Sequence, residues 1–391
     1  MKAKQFNPVG YWKSSEKATS FPLSRQFVWI NSPDCVELTD RLLASIESAR
    51  KVLWVASPFI DDERIVQSLI RARSRRVRVK VVTDIRNNRG RGKQYVTRGF
   101  QAEPEEATKF DAHQSCIREL ARARISCRSP IHYPHFKLVV ADDRIAILSS
   151  ANLTQNSLGG SLNSSLEVGL AVGRQEQVDQ LLLLLSELWS SCPFSLLLNG
   201  EDVSIEQHGC GEQVAHVAKT AAQCGLLVNS PRESFFSLTD AIVTAVNQSN
   251  REVIFASMSF FDANRVPQLE DAVLAALGRG VQVTAIIRPE HFCKEETRGE
   301  YPDPSTNRLV ESGLELQGIA GQHAKGLLVD QSDGLIFSAN INPYSLTSGL
   351  ESHHMELGAK LSANNESFTD FAEFMNDLKR AANNRFKLAK N

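Results

Sequence analysis

The chain has 391 residues, 44 lysines and arginines against 45 aspartates and glutamates, and 42% hydrophobic residues. This allows about two to three domains with buried cores, and the ordinary composition excludes a disordered, collagen-like or disulfide-stapled chain. No apolar run reaches the ~18–20 residues of a membrane span, and the start lacks the apolar centre and cleavage site of a secretory signal.

Seven scattered cysteines fit a reducing compartment. The expectation is a cytoplasmic protein with no stable membrane insertion. The near-zero net charge hides an asymmetry. Residues 1–200 hold 28 Lys and Arg against 20 Asp and Glu, and residues 201–391 hold 16 against 25. A polyanionic partner is therefore expected to touch mainly the first half.

Residues 1–26 are polar and aperiodic and read as an arm. The apolar Phe27–Ile30 predicts a strand, and Leu38, Leu42, Leu43 and Ile46 recur at helical spacing. Strands over Val52–Ala56 and Val77–Val82 enclose a helix over Ile65–Ala72, an alternation that points to a largely parallel sheet with helices on its faces. A basic glycine-containing loop follows, carrying Arg86, Arg89, Arg91, Lys93 and Arg98. It reads either as a contact to a phosphate backbone or as a solvated surface. The arginines at 71, 73, 75 and 76 read as a solvated helix face. A helix near Ala112–Arg124, a hairpin over Phe136–Ser149, a strand over Glu167–Val172 and a Leu-rich helix over Val178–Trp189 complete a first lobe, 27–192.

Residues 193–224, with Gly200, Gly209 and Gly211 among polar residues, read as a linker. The pattern then restarts in a second lobe, 225–391. Leu227-Val228-Asn229-Ser230-Pro231 echoes Trp29-Ile30-Asn31-Ser32-Pro33, and Leu238-Thr239-Asp240 echoes Leu38-Thr39-Asp40. An internal repeat of this length predicts two similar α/β lobes. A last helix over Phe368–Leu378 turns Phe368, Phe371 and Phe374 to the core.

The repeat includes the chemistry-bearing residues. His135-Phe136-Lys137 is followed by Asp142, Ser150, Asn152 and Glu167, and His323-Ala324-Lys325 by Asp330, Ser338, Asn340 and Glu356. In an extended strand residues i and i+2 share a face, so each His stands beside a fixed positive charge. An Asn amide adds hydrogen-bond donors, and a Glu can hold an imidazole by one nitrogen and leave the other free. This set suits a phosphodiester, with one histidine to attack and one to protonate the leaving oxygen.

Both stretches resemble the signature of the phospholipase D superfamily, H-x-K-x4-D-x6-G-S-x-N once per lobe. They depart from it where Ser149 and Phe337 replace the glycine. The resemblance implies two lobes related by a pseudo-twofold axis, each a mixed, mostly parallel sheet flanked by helices, with the active site at their interface. It also implies a covalent phosphohistidine, with His135 as nucleophile and His323 as general acid and base. Lys137, Lys325, Asn152 and Asn340 would bind phosphoryl oxygens, and Glu167 and Glu356 would orient the histidines. Asp142 and Asp330, an odd number of residues after each Lys, and Ser150 and Ser338 are expected to support the site from behind.

His353 and His354, just before Glu356, either line the cleft or lie exposed. Tyr95 and Tyr133 either stack on bases or pack. Cys192, His208, Cys210, His216 and Cys224 lack the paired spacing of a zinc site, and no metal or cofactor is expected. The functional expectation is a metal-independent phosphodiesterase, a nuclease cleaving DNA, in restriction or defence. Its alternatives are a phospholipase or phosphatidyltransferase acting on membrane lipids, and a non-catalytic nucleic-acid-binding protein. A monomer suffices for a complete site, and a protein partner that delivers substrate or activates the enzyme fits this reading.

Overall fold

The computed structural model describes residues 10–14, 22–86, 104–172, 174–209, 215–260, 266–289, 304–347, 354–364 and 366–388. In the first half a nine-stranded sheet runs in the order Asp202–Gln207, Phe194–Asn199, Ser126–Ser129, Arg78–Val82, Val52–Ala56, Lys137–Ala141, Ile145–Ser149, Glu167–Val172, Val28–Asn31. In the second half the order is Gly10–Ser14, Asn384–Leu388, Glu315–Gly318, Gln282–Ile287, Glu252–Ala256, Gly326–Val329, Asp333–Phe337, His354–Ser362, Leu226–Ser230, Phe235–Phe236. From Asn384–Leu388 to Leu226–Ser230 this order repeats that from Phe194–Asn199 to Val28–Asn31. The repeat in sequence is thus a repeat in topology.

The class is the expected mixed α/β, but parallel pairing is narrower than expected. It joins Val52–Ala56 to Arg78–Val82 to Ser126–Ser129, and their counterparts in the second sheet. The strand that begins at Lys137 in the first lobe, and just after Lys325 in the second, runs back against Val52–Ala56 or Glu252–Ala256 and turns into its neighbour as a hairpin. Both motif histidines therefore lie at the sheet edge where the parallel strands end.

Three apolar clusters organise the layers. Helices Glu37–Ser48 and Glu63–Ser74 cover the outer face of the first sheet through Leu38, Leu42, Ile46, Ile65 and Leu69. A matching cluster backs the second sheet. The largest lies between the sheets, where Trp54, Leu138 and Leu148 meet Ile254, Leu328 and Ile336. Helices Gln175–Ser191 and Glu366–Ala381 fill its flanks, the latter through Phe368, Phe371 and Phe374 as expected.

Two stretches differ from their sequence reading. Gly10–Ser14, placed in an arm, is an edge strand antiparallel to Asn384–Leu388, with Trp12 packed edge-on at 5.5 Å from Phe386. Residues 194–207, placed in the linker, form a hairpin on the first sheet that turns at Gly200 with φ 65°. Gly200-Glu201, between paired Asn199 and Asp202, is the Gly-X two-residue hairpin signal that reveals it.

Asp142 and Asp330 are also corrected. A strand rises ~3.3 Å per residue, so five residues carry each Asp about 16 Å from its Lys, to the opposite edge of the sheet. There Asp142 takes a left-handed conformation, φ 55°, and accepts from the backbone N–H groups of Arg50, Lys51 and Val52. Asp330, φ 52°, accepts in the same way from Asn250, Arg251 and Glu252. Each fastens the turn that feeds a central parallel strand and does not touch the histidines.

Burial opposes this, but the backbone donors keep both carboxyl groups below their usual pKa. Because the folded value is the lower one, the contribution is present above the unfolded value of about 3.9 and lost as pH falls through the folded value. Asp142→Ala should cost about 2 kcal/mol in urea unfolding at pH 7. Asp142→Asn should cost less, since Asn tolerates the left-handed region and keeps an acceptor. Neither should change kcat.

Candidate active site

The two lobes meet along a short backbone ladder. Tyr133–Pro134 pairs in parallel with His354 and Met355, and the His135 N–H donates to Met355 O at 3.0 Å. On the other side of the pseudo-twofold, Leu166 bridges Gln322, and the His323 N–H donates to Leu166 O at 3.0 Å. Each motif histidine is thus strung onto the strand that carries the other lobe's glutamate.

The side chains cross in the same way. His135 Nδ1 donates to Glu356 Oε1 at 2.7 Å, and His323 Nδ1 donates to Glu167 Oε1 at 2.6 Å. The second oxygen of each carboxylate accepts from a serine, Glu167 from Ser150 at 2.6 Å and Glu356 from Ser338 at 2.5 Å. Those hydroxyls in turn accept from the Val168 and Leu357 N–H groups. With Nδ1 held, Nε2 is the free nitrogen of each imidazole.

Lys137 and Lys325 are 1% and 0% exposed. Each ammonium donates to the carbonyl of its own histidine, at 2.5 and 2.7 Å. Asn152 and Asn340 each bury an amide oxygen that has no hydrogen-bond partner. Such groups are costly unless something binds them. Phe337, which replaces the motif glycine, is fully buried in the second lobe's outer cluster. The Ser338–Glu356 bond beside it matches Ser150–Glu167, so the departure leaves the site intact.

Burial governs the electrostatics. Desolvation drives His135 well below the ordinary histidine value and His323 down to about 4, against the pull of the paired carboxylates. Both imidazoles are neutral at pH 7 and carry a free lone pair. The same desolvation takes Lys325 down to about 8, although Glu167 and Glu356 pull it upward. Burial acts to raise both carboxyl groups, but the histidines and their hydrogen bonds hold Glu167 low and Glu356 well below its usual value. Two carboxylates and two ammonium groups leave the empty site near neutrality. An arriving phosphodiester anion then favours protonation of one imidazole.

A third ring lies in the first half-site. His354 stacks on His135 with centroids 4.8 Å apart, and Tyr133 stands 5.8 Å from His135 and 5.1 Å from His354. Of the two readings for Tyr133, packing is the one seen; Tyr133 is 4% exposed. Tyr95 and His353 lie outside the described residues. Donor atoms of His135, His354 and Glu356 come within 4.8 Å of one another, the one such group among the described residues. A cation there would break the His135–Glu356 bond and sit among buried lysines.

Arg86 donates to Ile131 O at 3.2 Å and lies over the Phe194 ring at 3.5 Å, so it braces the segment that leads to His135. With Arg118 and Arg122 it also lines an open cavity. Arg89, Arg91, Lys93 and Arg98 lie outside the described residues. Arg71 and Arg75 pair with Glu47 on the outer helix surface. His208 Nε2 meets Ser195 Oγ at 2.7 Å and Cys224 Sγ donates to Glu176 at 3.2 Å, so these two are engaged elsewhere than at a metal.

The model of the cardiolipin synthase PLD-like domain family matches residues 42–189. Over these residues, less than half of the chain, the sequence matches a phospholipase D-like domain. The fold is similar to that of phosphatidylserine synthase of Haemophilus influenzae Rd KW20, at 15% identity over 94% of this chain and 89% of that one, TM-score 0.59. It is also similar to polyphosphate kinase of Porphyromonas gingivalis, at 14% identity over 91% of this chain and 50% of that one, TM-score 0.53. A phospholipase D family member, NUC from Salmonella typhimurium, matches 41% of this chain and 93% of its own length at 20% identity, TM-score 0.32. No curated protein matches the sequence. Among the described residues no helix is long and apolar enough to cross a membrane.

Because the Lys325 ammonium is held at about 8, phosphodiester turnover should decline on the alkaline side near that pH. Lys325→Arg should move that limb upward by at least about two units, since a guanidinium stays charged, at a lower plateau rate. A pH profile of kcat/KM for both proteins checks this.

Proposed function

We propose that the chain is a metal-independent phosphodiesterase that cleaves DNA through a phosphohistidine. The observation that carries the chemistry is the pair of imidazoles, each held at Nδ1 by the opposite lobe's glutamate, beside two buried lysines.

In the first step His135 Nε2 attacks phosphorus, an N–P bond forms, and the P–O bond to the leaving strand breaks. That oxygen takes its proton from His323, whose protonation the bound phosphate anion favours. Lys137, Lys325 and the two asparagine amides hold the non-bridging oxygens. In the second step water attacks phosphorus, His323 takes the water's proton, and the N–P bond breaks. One water is consumed per diester. The products are a terminal phosphate, a hydroxyl end and the starting enzyme.

Nucleic acid as substrate is supported by the positive balance of the first 200 residues, 28 against 20, and by Arg86, Arg118 and Arg122 around one cavity. A cytoplasmic role in restriction or defence, with a partner that delivers substrate or releases activity, fits an enzyme whose site is complete in one chain.

A specific observation favours the lipid reading, to which the phosphatidylserine synthase of similar fold also points. Leu162 is 94% exposed on the segment between strands Ile145–Ser149 and Glu167–Val172, at the end of the sheet where Leu166 meets the second lobe. An exposed leucine beside a phosphodiester site suits a membrane surface.

End-labelled DNA and RNA in excess EDTA, with phosphatidylglycerol vesicles in parallel, separate the two. DNA cleavage that survives EDTA is expected. His135→Ala should lose at least about a thousandfold in rate while DNA binding persists. Lipid turnover with intact nucleic acid would transfer the assignment to the lipid reading.

A further inference from the structure

The two half-sites match in histidine, lysine, serine, asparagine and glutamate, and two of their differences lie beside the histidines. Two residues before the histidine stands Tyr133 in the first and Gly321 in the second. Two residues before the glutamate stands Ser165 in the first lobe and His354 in the second. Because the glutamates cross over, both larger residues fall around His135 and both small ones around His323. Tyr133 pairs with His354 across the interface, whereas Gly321, φ 73°, lies against the backbone of Ser164 and Ser165.

His354 is built into this half-site. Its ring lies face to face with His135, 24° from parallel, with Tyr133 and Tyr344 around it. Its Nδ1 lies 3.2 Å from Ser345 Oγ and 3.6 Å from Glu356 Oε1, the oxygen that His135 also uses. In the second half-site the side-chain hydrogen bond to His323 among the described residues is that of Glu167.

We propose that His354 is a positioning residue for His135. Stacked on that imidazole and anchored on Ser345 beside Glu356, it fixes the plane in which His135 presents Nε2, so the two half-sites differ in how firmly they hold their histidine. The inference deepens the phosphodiesterase reading and rests on it for the kinetic consequence, not for the geometric one. A firmly held ring suits the group that must approach phosphorus in line.

The test compares His354→Ser, which copies Ser165, with His354→Asn, which keeps an amide near the position of Nδ1, and with Ser165→Ala as control. With bis(4-nitrophenyl) phosphate, a substrate too small to engage a nucleic-acid or lipid surface, His354→Ser should lower kcat by about tenfold to a hundredfold with little change in KM. His354→Asn should recover part of the loss, and Ser165→Ala should match the wild type. Imidazole 15N–1H spectra supply a second readout: His354→Ser should displace the His135 resonances and leave those of His323 in place. Unmoved His135 resonances, or equal displacement of both histidines, would overturn the proposal. If the wild-type chain fails to turn over the diester, the phosphodiesterase reading falls, and the spectra still decide the positioning role.

Discussion

The site depends on two buried carboxylates, each reaching across the lobe interface to the other lobe's histidine. Glu167 and Glu356 are 0% and 1% exposed, and an ionised carboxylate at that depth is tolerated only when fully paired. The pairing is complete, an imidazole on one oxygen and a serine hydroxyl on the other. Each lobe gives its own glutamate the serine and the other lobe's glutamate the histidine, so the pairing is complete only when the lobes meet. Assembly of the interface and assembly of the catalytic groups are one event.

That constraint orders the rest. The large apolar cluster between the sheets fixes the distance at which the glutamates meet their partners, and the backbone ladder on each side fixes the height of the histidines. Burial strips water from the lysines and imidazoles and drives both histidines to the neutral form, which a nucleophile requires. The two positive charges remain to meet the phosphate. The substrate class we propose rests instead on the positive balance of the first 200 residues.

Much of this was legible in the sequence because the chain says it twice. Asn31-Ser32-Pro33 and Asn229-Ser230-Pro231 mark the same place in both sheets, and each Asn bonds an equivalent residue, Thr39 or Thr239. The alternation of side chains along a strand placed His and Lys on one face from their spacing. The pairing of histidine with glutamate was not legible, since two like histidines and two like glutamates allow either choice and only packing decides. Asp142 and Asp330 misled because neighbours in a motif need not be neighbours in space along a strand. Gly10–Ser14 escaped notice because its partner, Asn384–Leu388, lies at the far end of the chain. His354 stood out as a histidine, but its role needed the crossing to be known first.

The crossed pairing is tested most directly by double-mutant cycles on urea unfolding, using His135→Ala with Glu356→Gln and His135→Ala with Glu167→Gln. Coupling of about 1–3 kcal/mol is expected for His135 with Glu356, as for groups in contact, and within about 0.5 kcal/mol of zero for His135 with Glu167. Strong coupling of His135 to Glu167, the glutamate of its own lobe, with none to Glu356, would contradict the account.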